Sequence, residues 1–191
     1  MKIVLASSNK HKVQEINDIV KSLNLPLEFI LPPEGFDPIE NGETFEENSY
    51  IKAKEAWKLS KTWTLADDSG LCIDALGGKP GIHSARYAET PALRIERVLN
   101  ELEGVQNRKA HFTCVMTLIN PQGEVEYKYM GICEGSIIEE TRGTNGFGYD
   151  PIFLVKGDTR TMAELSKEEK NRVSHRSIAL RHILSYLQQL I

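Results

Sequence analysis

The chain has 191 residues, 40% of them hydrophobic and 26% charged, with a mean hydropathy of -0.34. Size scaling lets such a chain bury about 70% of its extended surface, enough for a core without disulfides, and the composition excludes disorder, collagen-like repeats and a membrane-embedded protein. The net charge is -4, whereas proteins that grip a nucleic-acid backbone carry a basic surplus. An anionic ligand therefore needs a local basic cluster.

Cys72, Cys114 and Cys133 are odd in number, widely spaced and form no CxxC. A disulfide framework and a cysteine zinc site are both disfavoured, and a reducing compartment fits. The apolar run Ile3 to Ala6 is too short for a signal-peptide core, and no stretch approaches the roughly 20 apolar residues of a membrane span. The expectation is a soluble, cytoplasmic protein with no membrane and no nucleic-acid partner.

In chain order, Lys2 to Ala6 reads as a buried strand, followed by a helix with Val13, Ile16, Val20 and Leu23 on one face. Pro26, Pro32, Pro33 and Pro38 make residues 24 to 43 extended or looped. Thr44 and Glu47 form a capping box that starts a helix running to about Ser60. Trp63 to Ala66 is a short strand ending at Asp67-Asp68-Ser69-Gly70.

Residues 77 to 89 are a loop, and Thr90-Pro91 opens a helix with Ile95, Val98, Leu99 and Leu102 inward. His111 to Ile119 and Glu124 to Cys133 form a hairpin around Asn120-Pro121-Gln122-Gly123. A glycine-rich loop, Gly143 to Asp150, precedes a strand from Ile152 to Val155. A short helix capped by Ser166 and Glu169 follows. The last helix starts near Ser174 and carries Leu180, Leu184, Leu187 and Ile191 on one face. Interleaved helices and strands with one antiparallel hairpin give an α/β fold with a mixed sheet.

Four segments carry candidate chemistry. Ser7, Ser8, Asn9, Lys10, His11 and Lys12 stand at a strand-to-helix junction. Free N–H groups there bind anions, and the lysines oppose the helix dipole, so the segment is either a phosphate site or a solvated turn. Asp67-Asp68, joined in prospect by Glu40, offers hard oxygens for Mg²⁺ or a general base; the alternative is a turn or helix cap. Asn145 to Asp150 places Phe147 among glycines, where a base could stack, or where Phe147 and Tyr149 pack as core. Lys170 with Ser174-His175-Arg176 again sets basic residues at a helix start, or on a solvated face. Lys52, one turn beyond Asn48, either faces the carboxylates or is an ordinary surface lysine.

The strings occur in order: Ser7-x-Asn9-x-x-Lys12, Thr44-Phe45-x-Glu47-Asn48, Lys52-Ala53, Ala66-Asp67-Asp68-Ser69-Gly70-Leu71, Pro80-Gly81-x-x-Ser84-Ala85-Arg86-Tyr87, Gly146-Phe147-Gly148-Tyr149-Asp150-Pro151, Glu169-Lys170 and Ser174-His175-Arg176. Each is weak alone, but in this order, over nearly the whole chain, they resemble the inosine triphosphatase-like purine nucleoside-triphosphate pyrophosphatases (dITP/XTP pyrophosphatases). Ser7 stands where many relatives have Thr, which keeps the hydroxyl, and the loop from Tyr87 to Ala92 is shorter than in some members.

The resemblance implies one domain over residues 1–191, an elongated mixed sheet with helices on its faces, two lobes flanking a nucleotide cleft, and a homodimer. It implies Mg²⁺-dependent hydrolysis of a purine nucleoside triphosphate to its monophosphate and pyrophosphate. Carried over by position, Ser7 to Lys12 hold phosphates, Glu40 and Asp68 hold the metal, and Asp68 accepts the proton. Lys52, Ser69, Phe147, Gly148, Tyr149, Asp150, Lys170, His175 and Arg176 bind substrate. Two rivals differ in class: a nucleotide sensor without turnover, which needs no base, and an RNA-binding module, which the net charge opposes.

Overall fold

The computed structural model describes residues 1–10 and 12–191; the expectation placed on His11 falls outside the described residues. Six strands form one mixed sheet in the order β2-β1-β3-β4-β5-β6. They are β1 (Lys2–Leu5), β2 (Glu28–Ile30), β3 (Thr64–Ile73), β4 (Lys109–Ile119), β5 (Val125–Ile137) and β6 (Phe153–Val155). The helices are α1 (Lys10–Ser22), α2 (Phe45–Ser60), α3 (Pro91–Glu101), α4 (Lys167–Val173) and α5 (His175–Gln188). Strand β1 runs parallel to β2, with Ile3 opposite Phe29, and parallel to β3, with Leu5 opposite Leu65. Strand β5 runs antiparallel to β6. The α/β class and mixed sheet expected from the sequence are therefore observed.

The chain divides into two compact units. The first contains Met1–Asp68, Val115–Met130 and Ala179–Ile191. Within it Val4, Ala6, Ala53, Ala56, Ala66 and Ile119 form a buried cluster that seats α2. Edge strand β2 is closed by α1, whose Asn17 donates to the Phe29 carbonyl and accepts its N–H, both at 2.8 Å. A polar helix residue thus satisfies backbone groups that a strand edge leaves open. The turn into β5 is covered by Trp57, whose indole donates to the Pro121 carbonyl at 3.2 Å. Gly123 there has φ +87°, and a Cβ on it would meet the Trp57 ring.

The second unit contains Ser69–Cys114 and Gly131–Ile178. Its core gathers Leu71, Ile73, Val98, Leu102, Phe112, Ile137, Ile152, Phe153, Met162 and Leu165. Thr90 caps α3 by accepting the Leu93 N–H at 3.2 Å, with Pro91 in the first turn. Ser166 and Glu169 form the expected reciprocal box on α4, and Thr161 with Glu164 forms a second one.

The structure corrects several boundaries. Strand β3 does not stop at the aspartates but continues to Ile73. It lies between β1 and β4, and Leu65, Ala66, Leu71 and Ile73 are fully buried on either side of the polar run. Strand β1 pairs with the start of β3, at Thr64 and Leu65, and the buried apolar residues flanking the polar run keep the strand in the core beyond it. Strand β2 forms inside the proline-rich stretch, and β5 extends to Ile137. Leu23 and Ile191 lie beyond their helix ends and are exposed. Glu47 accepts from the Glu43 N–H at 2.6 Å, while Thr44 accepts from the Glu47 N–H at 3.1 Å, so Thr44 is the cap but the box is not reciprocal.

Candidate functional site

The first group of candidate residues is built by the first unit. Residues Ser7 to Asn9 link β1 to α1, where the Ser7 hydroxyl accepts the Asn9 N–H at 3.2 Å. Helix α1 carries no acidic residue of its own in its first turn, so the helix supplies no anion to its own dipole there. Lys10 is exposed, whereas Lys12 is half-buried and its ammonium contacts the Asp67 carboxylate. That pairing accounts for one of the two lysines at the helix start.

Asp68 follows on the next position of β3 and faces Lys52 from α2. The Lys52 ammonium lies 3.2 Å from Asp68 Oδ1 and 3.1 Å from Glu40 Oε2. The loop carrying Glu40 is held to α2 by Asn48, whose Oδ1 accepts the Gly42 N–H at 2.9 Å. Below, the Ser49 hydroxyl donates to Thr117 Oγ1 at 2.8 Å, so α2 is fastened to β4 by a buried polar pair. Glu40 and Asp68 are brought to one ammonium, and of the two readings of Lys52 the structure shows the one that faces the carboxylates.

The electrostatics follow from this packing. Burial would lower the Lys52 pKa, but Asp68, Asp67 and Glu40 outweigh it and hold the ammonium above its ordinary value. Burial also pushes the Asp68 carboxyl above the usual carboxylate range, with Lys52 pulling in the opposite direction. Asp68 Oδ2 is buried and, among the described residues, accepts no hydrogen bond. An orphaned carboxylate oxygen is costly, and beside Glu40 it supplies the hard oxygen donors that suit Mg²⁺. Among the described residues no three His, Cys, Asp or Glu side chains cluster as a complete metal cage. Two carboxylates, with substrate phosphates completing the shell, fit the way Mg²⁺ is usually held.

The second group belongs to the second unit. Gly146 has φ +73°, and a Cβ there would collide with the Asp150 carboxylate. The bare glycine lets Asp150 Oδ2 accept the Phe147 N–H at 3.0 Å while the same oxygen meets the Lys170 ammonium. Asp150 is buried, yet Phe147 remains 63% exposed. Lys170 Nζ lies 4.5 Å from the Phe147 ring centroid, and the Arg176 guanidinium 5.6 Å from it. Two cations thus lie over a ring that is otherwise exposed to solvent.

Other expected residues have different surroundings. Tyr149 is core: its hydroxyl donates to the Ser84 carbonyl at 2.8 Å, and burial pushes its pKa up to about 12. His175 is buried and stacked on Phe112, with ring centroids 4.9 Å apart. Gly148 takes φ +61° in the turn, and Ser69 is half-buried in β3. Helix α5, like α1, has no acid in its first turn.

A model of the Ham1 family matches residues 3–186. The chain belongs to the Ham1 family. A relative from Treponema denticola named dITP/XTP pyrophosphatase is 45% identical, with 98% of this chain and 99% of the relative aligned. Two solved Ham1 structures are similar throughout. The Staphylococcus aureus Ham1 protein has a TM-score of 0.91 at 39% identity, covering 100% of both chains. A HAM1 protein from Coxiella burnetii has a TM-score of 0.91 at 43% identity, covering 99% of both. The fold also enlists Asn48, Ser49 and Thr117, which hold the Glu40 loop and β4 to α2 and to which the sequence alone assigns no role. For Asn48 and Ser49 the signal is polarity among the buried positions of α2 that include Ala53 and Ala56, and for Thr117 it is a polar residue inside the apolar run of β4.

Proposed function

We propose that the chain hydrolyses non-canonical purine nucleoside triphosphates (ITP, dITP and XTP) to the monophosphate and pyrophosphate, with Mg²⁺. The observation that carries this reading is the convergence of Glu40, Lys52 and Asp68 beside the Lys12–Asp67 pair. It combines cations for phosphates with an unusually basic carboxylate.

In this mechanism Ser7 to Lys12 and Lys52 bind and orient the phosphate chain. Glu40 and Asp68 would hold the metal, which when bound polarises a phosphoryl oxygen and offsets charge on the leaving group. Asp68 takes a proton from the attacking water. The water oxygen bonds to the α-phosphorus as the bridge to the β-phosphate breaks, and pyrophosphate departs. The raised pKa of Asp68 suits a proton acceptor better than an ordinary aspartate would.

The purine is assigned to the exposed face of Phe147, with Lys170, His175 and Arg176 as donors near its edge and Asp150 holding Lys170. Ser69 and Gly148 are assigned to the same region, and Tyr149, a core residue, anchors the loop from below through Ser84. A 6-oxo purine accepts from such donors, whereas the 6-amino group of adenine opposes donor to donor. The same reading carries a homodimer and a cytoplasmic setting, with a nucleotide and no nucleic-acid polymer as ligand. Among the described residues no helix is long and apolar enough to cross a membrane.

Ion chromatography after incubation with ITP, dITP, XTP, GTP and ATP tests the reaction. Pyrophosphate should appear first, from ITP, dITP and XTP, and only with Mg²⁺ present. Initial orthophosphate, or binding without turnover, would refute the assignment. Light scattering coupled to size exclusion checks the dimer at twice the chain mass.

A further inference from the structure

We propose that Lys52 is an internal competitor for the divalent cation. Its ammonium holds Glu40 and Asp68 until nucleotide phosphates draw it away, so that metal and phosphate bind as a coupled pair. This rests on the Mg²⁺-dependent reading above and adds an order of events to it.

The lysine occupies the oxygens that the metal needs. Nζ lies 3.1 Å from Glu40 Oε2 and 3.2 Å from Asp68 Oδ1, and the Lys52 and Asp68 side chains are only 13% and 12% exposed. Screening by salt is weak in such a covered cluster. A dication placed on the same oxygens would sit against the ammonium, and like charges at that range repel strongly. Metal alone must therefore displace Lys52 with no new partner to receive it.

Phosphates change that balance. The Lys52 stem is flexible, and its ammonium is a point charge that can turn to a new anion without moving α2. Helix α2 itself stays fixed by the buried Ala53 and Ala56 and by the Ser49–Thr117 hydrogen bond. The lysine satisfies only one Asp68 oxygen, and Oδ2 remains buried with no hydrogen bond among the described residues. A strong metal ligand is thus kept ready while its neighbour is blocked. Linkage makes the effect reciprocal: phosphate promotes metal binding by the factor by which metal promotes phosphate binding, of the order of 5–150-fold in typical coupled sites. The free enzyme would then remain largely unloaded, and the metal would enter with its substrate.

The test uses the full chain without nucleotide and Mn²⁺ as the probe, counted by electron paramagnetic resonance. Wild type is compared with Lys52→Met, Lys12→Met and Lys54→Met. Lys54, on the same helix, donates to the Gly123 carbonyl at 2.7 Å and controls for charge alone. Lys52→Met should bind Mn²⁺ at least about tenfold more tightly than wild type, within the usual span of coupling. Lys54→Met should match wild type, and Lys12→Met, whose partner is Asp67, should gain clearly less than Lys52→Met.

Thermal melting gives a second reading and verifies folding. Mn²⁺ should raise the Tm of Lys52→Met more than that of wild type, because tighter binding to the native state stabilises it more. Calorimetry in EDTA should show weaker pyrophosphate binding by Lys52→Met. Equal Mn²⁺ affinity in wild type and Lys52→Met, or an equal gain in Lys12→Met, would overturn the competitor role and leave the metal reading intact. No bound Mn²⁺ in any variant, with or without pyrophosphate, would overturn both.

Discussion

Lys52 and Asp68 come from a helix and a strand, yet the ammonium reaches Asp68 Oδ1 at 3.2 Å while Oδ2 stays buried without a hydrogen bond among the described residues. The two oxygens of one carboxylate therefore live in different environments. One is neutralised by an ion pair, and the other is desolvated and unused. Such a group is expensive to maintain for stability alone, which marks Asp68 as the residue whose loss should separate chemistry from folding.

Asp68→Asn keeps the shape and removes both charge and basicity. General-base help is worth about 10²–10⁴-fold, so turnover of ITP should fall at least that far while circular dichroism and the melting transition remain those of a folded protein. A folded variant retaining more than about a tenth of wild-type turnover would remove Asp68 from the catalytic role.

Phe147 should act on the base and not on the phosphates. Its ring is 63% exposed, and stacking of a base on an aromatic face contributes about 1–3 kcal/mol. Phe147→Ala should therefore raise KM for ITP by roughly 5–150-fold with pyrophosphate inhibition unchanged, and Phe147→Trp should restore most of the loss. Equal weakening toward ITP and pyrophosphate would assign the loop to phosphate or to fold.

Much of this arrangement was legible before the structure. The helix starts at Thr44, Thr90 and Ser166 follow from cap chemistry, and the hairpin follows from Asn120 to Gly123, because those signals are local. The path of β3 was not legible. Its polar centre, Asp67 to Gly70, looks like a terminus until Leu71 and Ile73 beyond it are known to be buried in a strand that lies next to β4. The opposite fates of Phe147 and Tyr149 were hidden for the same reason: two residues of one loop divide between surface and core only through contacts distant in sequence, such as Tyr149 with Ser84. Sequence patterning likewise did not distinguish Asp67 from Asp68. Lys12 and Lys52, from different helices, divide them.

Arg160 and Asp158 offer a test of linkage outside the site. The Arg160 guanidinium donates from Nε to Asp158 Oδ1 at 3.1 Å and from Nη2 to Oδ2 at 3.0 Å, holding Asp158 well below its ordinary 3.8, at about 2. A carboxylate with a depressed folded pKa stabilises above its unfolded pKa, and that contribution disappears as pH falls through the folded value. The difference in denaturation midpoint between wild type and Asp158→Asn should be constant from neutral pH down to about 4 and shrink between there and about 2. A difference independent of pH throughout that range would mean that the ion pair contributes nothing measurable.

Base choice should depend on Arg176, whose guanidinium lies 5.6 Å from the Phe147 ring centroid. Arginine carries only donors, so at a purine edge it meets the 6-oxo group of hypoxanthine or xanthine with a hydrogen bond and the 6-amino group of adenine with none. Leaving such groups unpaired in a desolvated site costs about 1–3 kcal/mol each, and sites built on that pairing reject the mismatched analogue strongly. Removing the arginine should therefore harm the accepted substrate far more than the rejected one. For Arg176→Ala, kcat/KM on ITP should fall steeply, the weak rate on ATP should change much less, and the ITP:ATP ratio should shrink. The guanine 6-oxo group accepts the same bond, so GTP should follow ITP in losing rate and serves as an internal check. A parallel loss on ITP and ATP would show that Arg176 serves the phosphates or the fold, and recognition of the purine edge would then belong to Lys170 and His175.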